Sequence, residues 1–124
     1  MIIAVLSLLS FFHSPFFKIR NFSINGNEII SKKELMSYLE NYKQKNLLFL
    51  DGDKIVTRLK KQESYINDVK IIKDYPDKLK IDIEERKPLA MILNNGVYIV
   101  FDGQGKILED SQNGLRVEVP IVKG

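Results

Sequence analysis

The side chains that could support nucleophilic catalysis or bind a metal are few in this chain of 124 residues. It contains no cysteine, which excludes disulfide bonds, thiol catalysis and cysteine-based metal sites. Its single histidine, His13, lies inside an apolar N-terminal stretch, so a histidine-based triad or metal site has no support. We interpret His13 as a residue at a membrane or domain boundary instead.

The carboxylates are no better arranged for acid–base chemistry. Glu84 and Glu85 are adjacent in a predicted strand and point to opposite faces, so they cannot act as a catalytic pair. Asp82 and Glu84 share a face with Lys80 and Arg86, and this alternation of charge is typical of a solvated ladder. The sequence therefore indicates a surface here rather than an active site.

Two loop motifs also have simpler structural interpretations. Asp51-Gly52-Asp53 resembles the start of a calcium loop, but Ile55 stands where an oxygen ligand would be needed, so we expect a helix cap. Gly103-x-Gly105 is not followed by Lys and Ser or Thr, which predicts a turn rather than a phosphate cradle. We therefore expect no enzyme, no metal site, no cofactor and no small-molecule substrate.

The charge pattern argues against nucleic-acid binding. The net charge is only +3, because 16 acidic residues are interleaved with 19 basic ones. A small RNA-binding α+β domain remains an alternative, given the basic residues and five tyrosines. However, the predicted wet face of the central strand alternates in sign and carries no aromatic residue.

Residues 68–88 form the segment around which the other elements are organised, and they are predicted to be a β-hairpin. Apolar residues alternate with charged ones in its second strand, which indicates one buried and one wet face. They are Leu79, Ile81 and Ile83. Because the apolar residues of both strands have odd numbers, either the loop holds an odd number of residues or the hairpin contains a β-bulge. We expect Tyr75 to pair with Leu79 and Ile71 with Ile83.

The segment before the hairpin predicts one strand and two helices. Residues 17–24 alternate as a strand, and Asn25-Gly26-Asn27 ends it. Ser31 and Glu34 form a capping box, in which each side chain reaches the other residue's backbone amide. Asp51 caps the second helix. The order predicts an α+β fold: a β-α-α-β-β two-layer domain with a three-stranded sheet and two helices on one face.

After Pro88 the sequence predicts a short antiparallel β meander. Its strands are expected at 89–93, 97–101 and 106–108, and residues 115–119 are a candidate fourth strand. These residues are too few to bury both faces of a sheet. We therefore interpret residues 89–124 as part of a larger β domain.

Residues 1–16 are apolar and uncharged apart from His13. The 12 residues before it would form a helix of roughly 18 Å, which is shorter than the roughly 30 Å of bilayer hydrocarbon. We interpret residues 1–16 as the outer part of a membrane-anchor segment that is truncated at its start. The alternative is a buried or interfacial helix of a soluble domain.

Three sequence blocks resemble the FtsQ/DivIB family of bacterial cell-division proteins. The first is Phe17-x-Ile19 followed by Phe22-x-Ile24-x-Gly26-Asn27. The second is Asn46-Leu47-Leu48-Phe49-Leu50-Asp51. The third, and most specific, is Tyr75-Pro76-Asp77-Lys78-Leu79-Lys80-Ile81 with Glu85-Arg86-Lys87-Pro88-Leu89-Ala90.

The resemblance implies a POTRA domain over residues 17–88 and the start of the family's β domain over residues 89–124. It implies a non-enzymatic division scaffold at the septum that helps to regulate septal peptidoglycan synthesis. It also implies a single-pass protein of the cell membrane, with the POTRA domain on the extracytoplasmic side, and partners of the FtsL and DivIC/FtsB type. The same fold leaves open a POTRA module of an outer-membrane assembly or secretion system.

The resemblance also implies where a partner would bind. In POTRA domains the last strand is central and the strand before it is at an edge of the sheet. In this chain, the edge strand implied by the family's order is residues 68–74. The candidate partner-binding residues are Asp68, Lys70, Lys73 and Asp74. Such an edge exposes unpaired backbone groups to an added strand.

Overall fold

Three α-helices and six strands lie within residues 1–122, the part of the chain that the computed structural model describes. The helices are α1 (Ile2–Phe12), α2 (Lys32–Leu39) and α3 (Gly52–Gln62). The strands are β1 (Asn21–Asn25), β2 (Ile66–Asp74), β3 (Lys78–Glu85), β4 (Pro88–Asn94), β5 (Val97–Asp102) and β6 (Ile107–Asp110). Short 3₁₀ turns occupy Pro15–Phe17 and Glu40–Tyr42.

The first sheet confirms the predicted two-layer α+β fold. Its strand order is β1-β3-β2, with β1 parallel and β2 antiparallel to the central β3. The apolar residues of β3 are buried, together with those on the inner faces of α2 and α3. These core residues are Leu79, Ile81, Ile83, Leu35, Leu39, Ile55 and Leu59. The alternation in β3 thus reflects one face against the helices and one toward solvent.

The hairpin register differs from the prediction by two residues. Ile71 pairs with Ile81 rather than Ile83, and the three-residue loop is Tyr75–Asp77 rather than residues 76–78. The parity argument was right, because odd residues still face odd residues. Lys78 joins the sheet since it pairs with Asp74 on one side and with β1 on the other.

The first predicted strand, residues 17–24, is shorter than expected. Phe17 ends a 3₁₀ turn, and β1 begins only at Asn21. The reason is that the residues before β1 bond to a loop instead of the sheet. The Ile19 amide donates to the Lys45 carbonyl at 2.9 Å, and the Leu47 amide donates to the Phe17 carbonyl at 2.8 Å.

Both predicted helix caps are present. The Ser31 hydroxyl accepts from the Glu34 amide at 3.1 Å, and the Asp51 carboxylate accepts from the Asp53 amide at 3.1 Å. The second half of the capping box was wrong. The Glu34 carboxylate, expected to reach back to Ser31, lies 3.1 Å from the Arg116 guanidinium.

The second sheet, β4-β5-β6, contains the three expected meander strands, but residues 115–119 form no strand. In this segment Arg116 lies within ion-pair distance of Glu34 and Glu63 in the POTRA-like part and of Glu109 on β6. The chain then meets β4 at a single parallel bridge between Met91 and Ile121. The cores are continuous, since Met91, Val100 and Leu108 belong to the same cluster of buried residues as Leu59.

Helix α1 is exposed along its whole length, and none of its residues is buried. Pro15 follows its end, as the sequence predicts. Within residues 1–122 we find no helix whose length and apolar character would let it cross a bilayer.

Candidate functional site

Strand β2 lies at an edge of the first sheet, with β3 as its only strand neighbour among residues 1–122. The four candidate residues on this strand therefore lie on the edge that the resemblance implies. Two of them, Asp68 and Lys70, are exposed, whereas Lys73 and Asp74 are half-buried. Ile72, which lies between Lys70 and Lys73 in the sequence, exposes part of its apolar side chain.

Three of the four side chains have partners inside the domain. Asp68 lies 3.3 Å from the Lys60 ammonium on α3, and Asp74 lies 3.8 Å from Lys80 on β3. The Lys73 ammonium donates to the Leu48 carbonyl at 3.4 Å. Lys70 makes no ion pair or side-chain hydrogen bond with residues 1–122, which leaves it the most available charge for an external partner.

The backbone of β2 shows which part of the edge is open. The Val69 amide donates to the Asp68 carboxylate at 2.9 Å, so it points away from β3. Because backbone groups alternate along a strand, we expect those of Ile71 and Lys73 to point outward as well. The Val69 amide and the Lys60 ammonium lower the pKa of Asp68. Asp68 thus blocks the edge at Val69, and the open stretch begins at Ile71.

Glu85, the first residue of the Glu85-Arg86-Lys87-Pro88 block, binds the loop before α2. Its carboxylate accepts from the amides of Glu28 at 2.7 Å, Ile29 at 3.0 Å and Ile30 at 2.7 Å. A carboxylate that accepts several backbone amides forms strong, charge-assisted hydrogen bonds. Glu85 therefore fixes the entry of α2 onto the end of β3.

Arg86 was predicted to belong to a solvated ladder, and that prediction was wrong. Its side chain is only 18% exposed and its guanidinium lies 3.0 Å from the Asp102 carboxylate. The other oxygen of Asp102 accepts from the amides of Gln104 and Lys106, both at 2.9 Å. The Lys106 amide and the Arg86 guanidinium hold the pKa of Asp102 below its usual value.

A second arginine, Arg116, lies among three glutamates. Its guanidinium is 3.0 Å from Glu63, 3.2 Å from Glu109 and 3.1 Å from Glu34. It also lies over the Tyr65 ring, 4.9 Å from the centroid. Burial alone would lower the pKa of Arg116, but the hydrogen bonds and charges of these glutamates raise it. For the Tyr65 hydroxyl, burial acts in the opposite direction and raises the pKa.

This arginine cluster borders a cleft of about 480 Å³ between α2, the end of α3 and β6. Sequence reasoning missed it because its members come from four separate segments, and no local spacing joins them. Their charges are mutually compensating, so the cluster indicates a structural ion-pair network. Among residues 1–122, no three histidine or carboxylate side chains are grouped so that they could hold a metal ion.

The N-terminal helix contacts the domain through His13 and Asn46. The ring centroids of His13 and Phe49 are 4.8 Å apart, and the Asn46 side-chain amide donates to the Phe12 carbonyl at 2.7 Å. His13 thus lies where α1 meets the domain.

Comparison with known proteins agrees with this architecture. The family model of the FtsQ-type POTRA domain matches residues 17–86. The chain is 26% identical over 113 residues to cell division protein FtsQ of Syntrophotalea carbinolica, covering 91% of this chain and 39% of the relative. It is 30% identical over 102 residues to cell division protein DivIB of Bacillus subtilis, covering 82% of this chain and 38% of the relative.

A third relative, cell division protein DivIB of Clostridium tetani, is 26% identical over 124 residues, which is all of this chain and 46% of the relative. The chain therefore spans less than half of the length of these relatives. The comparisons do not favour an outer-membrane assembly module or an RNA-binding domain, because the matching POTRA model is of the FtsQ type. That model matches more than half of the chain, and the strand order β1-β3-β2 is the order expected for a POTRA domain. The chain therefore belongs to the FtsQ/DivIB family of bacterial cell-division proteins.

Proposed function

We propose that this chain is part of a non-enzymatic divisome scaffold that binds other membrane division proteins at the septum and helps to regulate septal peptidoglycan synthesis. Its partners would be of the FtsL and DivIC/FtsB type. The family membership supports the process, since the relatives are named as cell-division proteins. The open edge of β2 supports binding as its mode of action.

The mode of binding that we propose is strand addition at β2. An incoming strand would hydrogen-bond to the outward backbone groups of Ile71 and Lys73, and its side chains would meet Lys70, Ile72 and Asp74. The competing explanation is that these charges only keep an edge strand soluble. The exposed part of the Ile72 side chain favours binding, because an edge strand whose charges served only solubility would gain nothing from an exposed apolar residue.

We propose three parts for the chain: a membrane-anchor segment over residues 1–16, a POTRA domain over 17–88 and part of a β domain over 89–124. The exposure of α1 on every side supports the first, since a helix that is apolar all round is stable only when covered. Large exposed apolar residues on the meander support the third. They include Leu89, Leu93 and Ile107. From the family resemblance, we propose that the POTRA domain lies on the extracytoplasmic side of the cell membrane.

The test is co-purification of the chain with FtsL- and DivIC/FtsB-type proteins of the same organism. Lys70→Glu should weaken capture and raise its sensitivity to salt, because the reversed charge acts on association while no contact inside the domain is lost. Lys54→Glu is the matched control, since Lys54 is also exposed but lies on α3. If Lys70→Glu and Lys54→Glu capture partners equally well while both remain folded, the edge is not the binding site.

A further inference from the structure

The end of α1 is fixed to one loop of the domain, residues 43–50. The Asn46 side chain holds the Phe12 carbonyl, and the Phe49 ring lies against His13. Lys18 forms an isolated bridge with Asn46, which adds a backbone connection at the same place. Because these contacts flank the exit of α1, the loop must stay beside it wherever α1 goes.

Aromatic side chains form an uncovered apolar surface at this junction. The exposed rings of Phe11, Phe12 and Phe16 pack against the buried Phe17, with ring centroids 5.0 to 6.3 Å apart in tilted or edge-to-face geometry. Phe49 exposes 61% of its surface and Phe16 exposes 52%. Isolated exposed apolar residues are common, but this group is continuous with the exposed apolar helix α1.

The two segments that carry these aromatic rings contain basic residues and no acidic ones. No acidic residue occurs before Glu28, and none occurs between Asn41 and Leu50. The same two segments carry exposed basic side chains. They are Lys18, Arg20, Lys43 and Lys45. A surface that combines aromatic rings with lysine and arginine is complementary to the headgroup region of an anionic bilayer.

We propose that Phe49 and Phe16, flanked by Lys18, Lys43 and Lys45, form a second membrane contact that lies in the headgroup region of an anionic bilayer beside α1. This inference rests on the proposed attachment through residues 1–16. Two contacts would fix the tilt of the POTRA domain, which a single flexible tether does not.

The contact would also orient the candidate binding edge. The Asp77 carbonyl accepts from the Arg20 amide at 2.9 Å, so the β2–β3 turn lies at the same end of the domain as α1. The open edge of β2, which ends at this turn, would then lie near the bilayer. A partner chain that emerges from the same membrane could add a strand there without a long linker.

Tryptophan fluorescence provides a direct test, because the chain contains no tryptophan. The complete chain carrying Phe49→Trp is mixed with vesicles of phosphatidylcholine and phosphatidylglycerol. We expect its emission to shift to shorter wavelength and to be quenched by lipids brominated near the top of the acyl chain. Ile107→Trp is the matched control, since Ile107 is 59% exposed on β6, and its emission should not change.

Flotation of the same samples separates the two proposals. If both variants float with vesicles but the emission of Phe49→Trp responds no more than that of Ile107→Trp, attachment stands and the second contact is wrong. If the folded protein does not float, both the attachment and the contact are wrong. A double change, Lys43→Gln with Lys45→Gln, should reduce the part of the emission shift that depends on phosphatidylglycerol. An unchanged dependence would contradict the role given to the lysines.

Discussion

The Arg86 guanidinium lies 3.0 Å from the Asp102 carboxylate, and this contact joins the end of the POTRA sheet to the turn between β5 and β6 of the meander. Both residues stand in short motifs, Glu85-Arg86-Lys87-Pro88 and Asp102-Gly103-Gln104-Gly105. The Arg86 amide also donates to the Tyr65 carbonyl at 2.6 Å. The two motifs are therefore parts of one connection between the sheets.

Asp102→Asn should destabilise the protein in a pH-dependent way. The folded pKa of Asp102 lies below its ordinary value of 3.8, because the folded structure favours the charged form. Its contribution is therefore complete above that value and is lost as the pH falls through the folded pKa. Thermal unfolding should show a lower Tm for Asp102→Asn at neutral pH, with the difference shrinking in acid. A difference that is the same at every pH would mean that the charge has no role.

Glu85→Gln should destabilise the POTRA domain by about 2 kcal/mol, since hydrogen bonds to a charged group contribute about 1.5–3 kcal/mol. The neutral amide keeps the shape but has only one strong acceptor for the amides of residues 28–30. Denaturant unfolding measures the change. Glu84→Gln is the control, because Glu84 is the adjacent residue and its side chain is exposed. This substitution should change the free energy of unfolding little. Equal effects of both changes would contradict the role of Glu85.

Gly26→Ala should destabilise strongly, because Gly26 has φ of +87° and an added Cβ would lie 2.0 Å from the Ile83 carbonyl oxygen. Strain at such a position costs about 1–3 kcal/mol before the backbone clash is added. Gly103→Ala is the control, since no atom lies within 4 Å of its added Cβ. Urea unfolding of both variants should separate them clearly, and similar midpoints would show that β1 can move away from β3.

Arg116→Gln should cost about 3 kcal/mol, because it leaves buried carboxylates without their charge partner. The side chains of Glu63 and Glu109 are only 4% and 5% exposed. Adding Glu63→Gln to Arg116→Gln should recover part of the loss, as a double-mutant cycle would measure. Additive effects of the two changes would mean that the ion pair itself contributes nothing.

The sequence predicted the elements whose signals are local. The alternation in Leu79, Ile81 and Ile83 indicates which face of β3 is buried, and the side chains of Ser31 and Asp51 mark the starts of the two helices. These signals are readable because a strand has a period of two, and because a cap bonds to an amide only two or three residues away. The resemblance added the family and the edge position of β2, both of which agree with the comparisons and the strand order.

Only the tertiary structure decided which charged residues are surface and which are structural. Glu84, Glu85 and Arg86 are consecutive, yet Glu84 is exposed, Glu85 binds amides near residue 29 and Arg86 binds Asp102. Arg116 meets Glu34, which is 82 residues away along the chain. A charged side chain carries no periodic signal that identifies its partner. Its role depends on which distant segment the fold brings within about 3 Å, the range of a hydrogen bond.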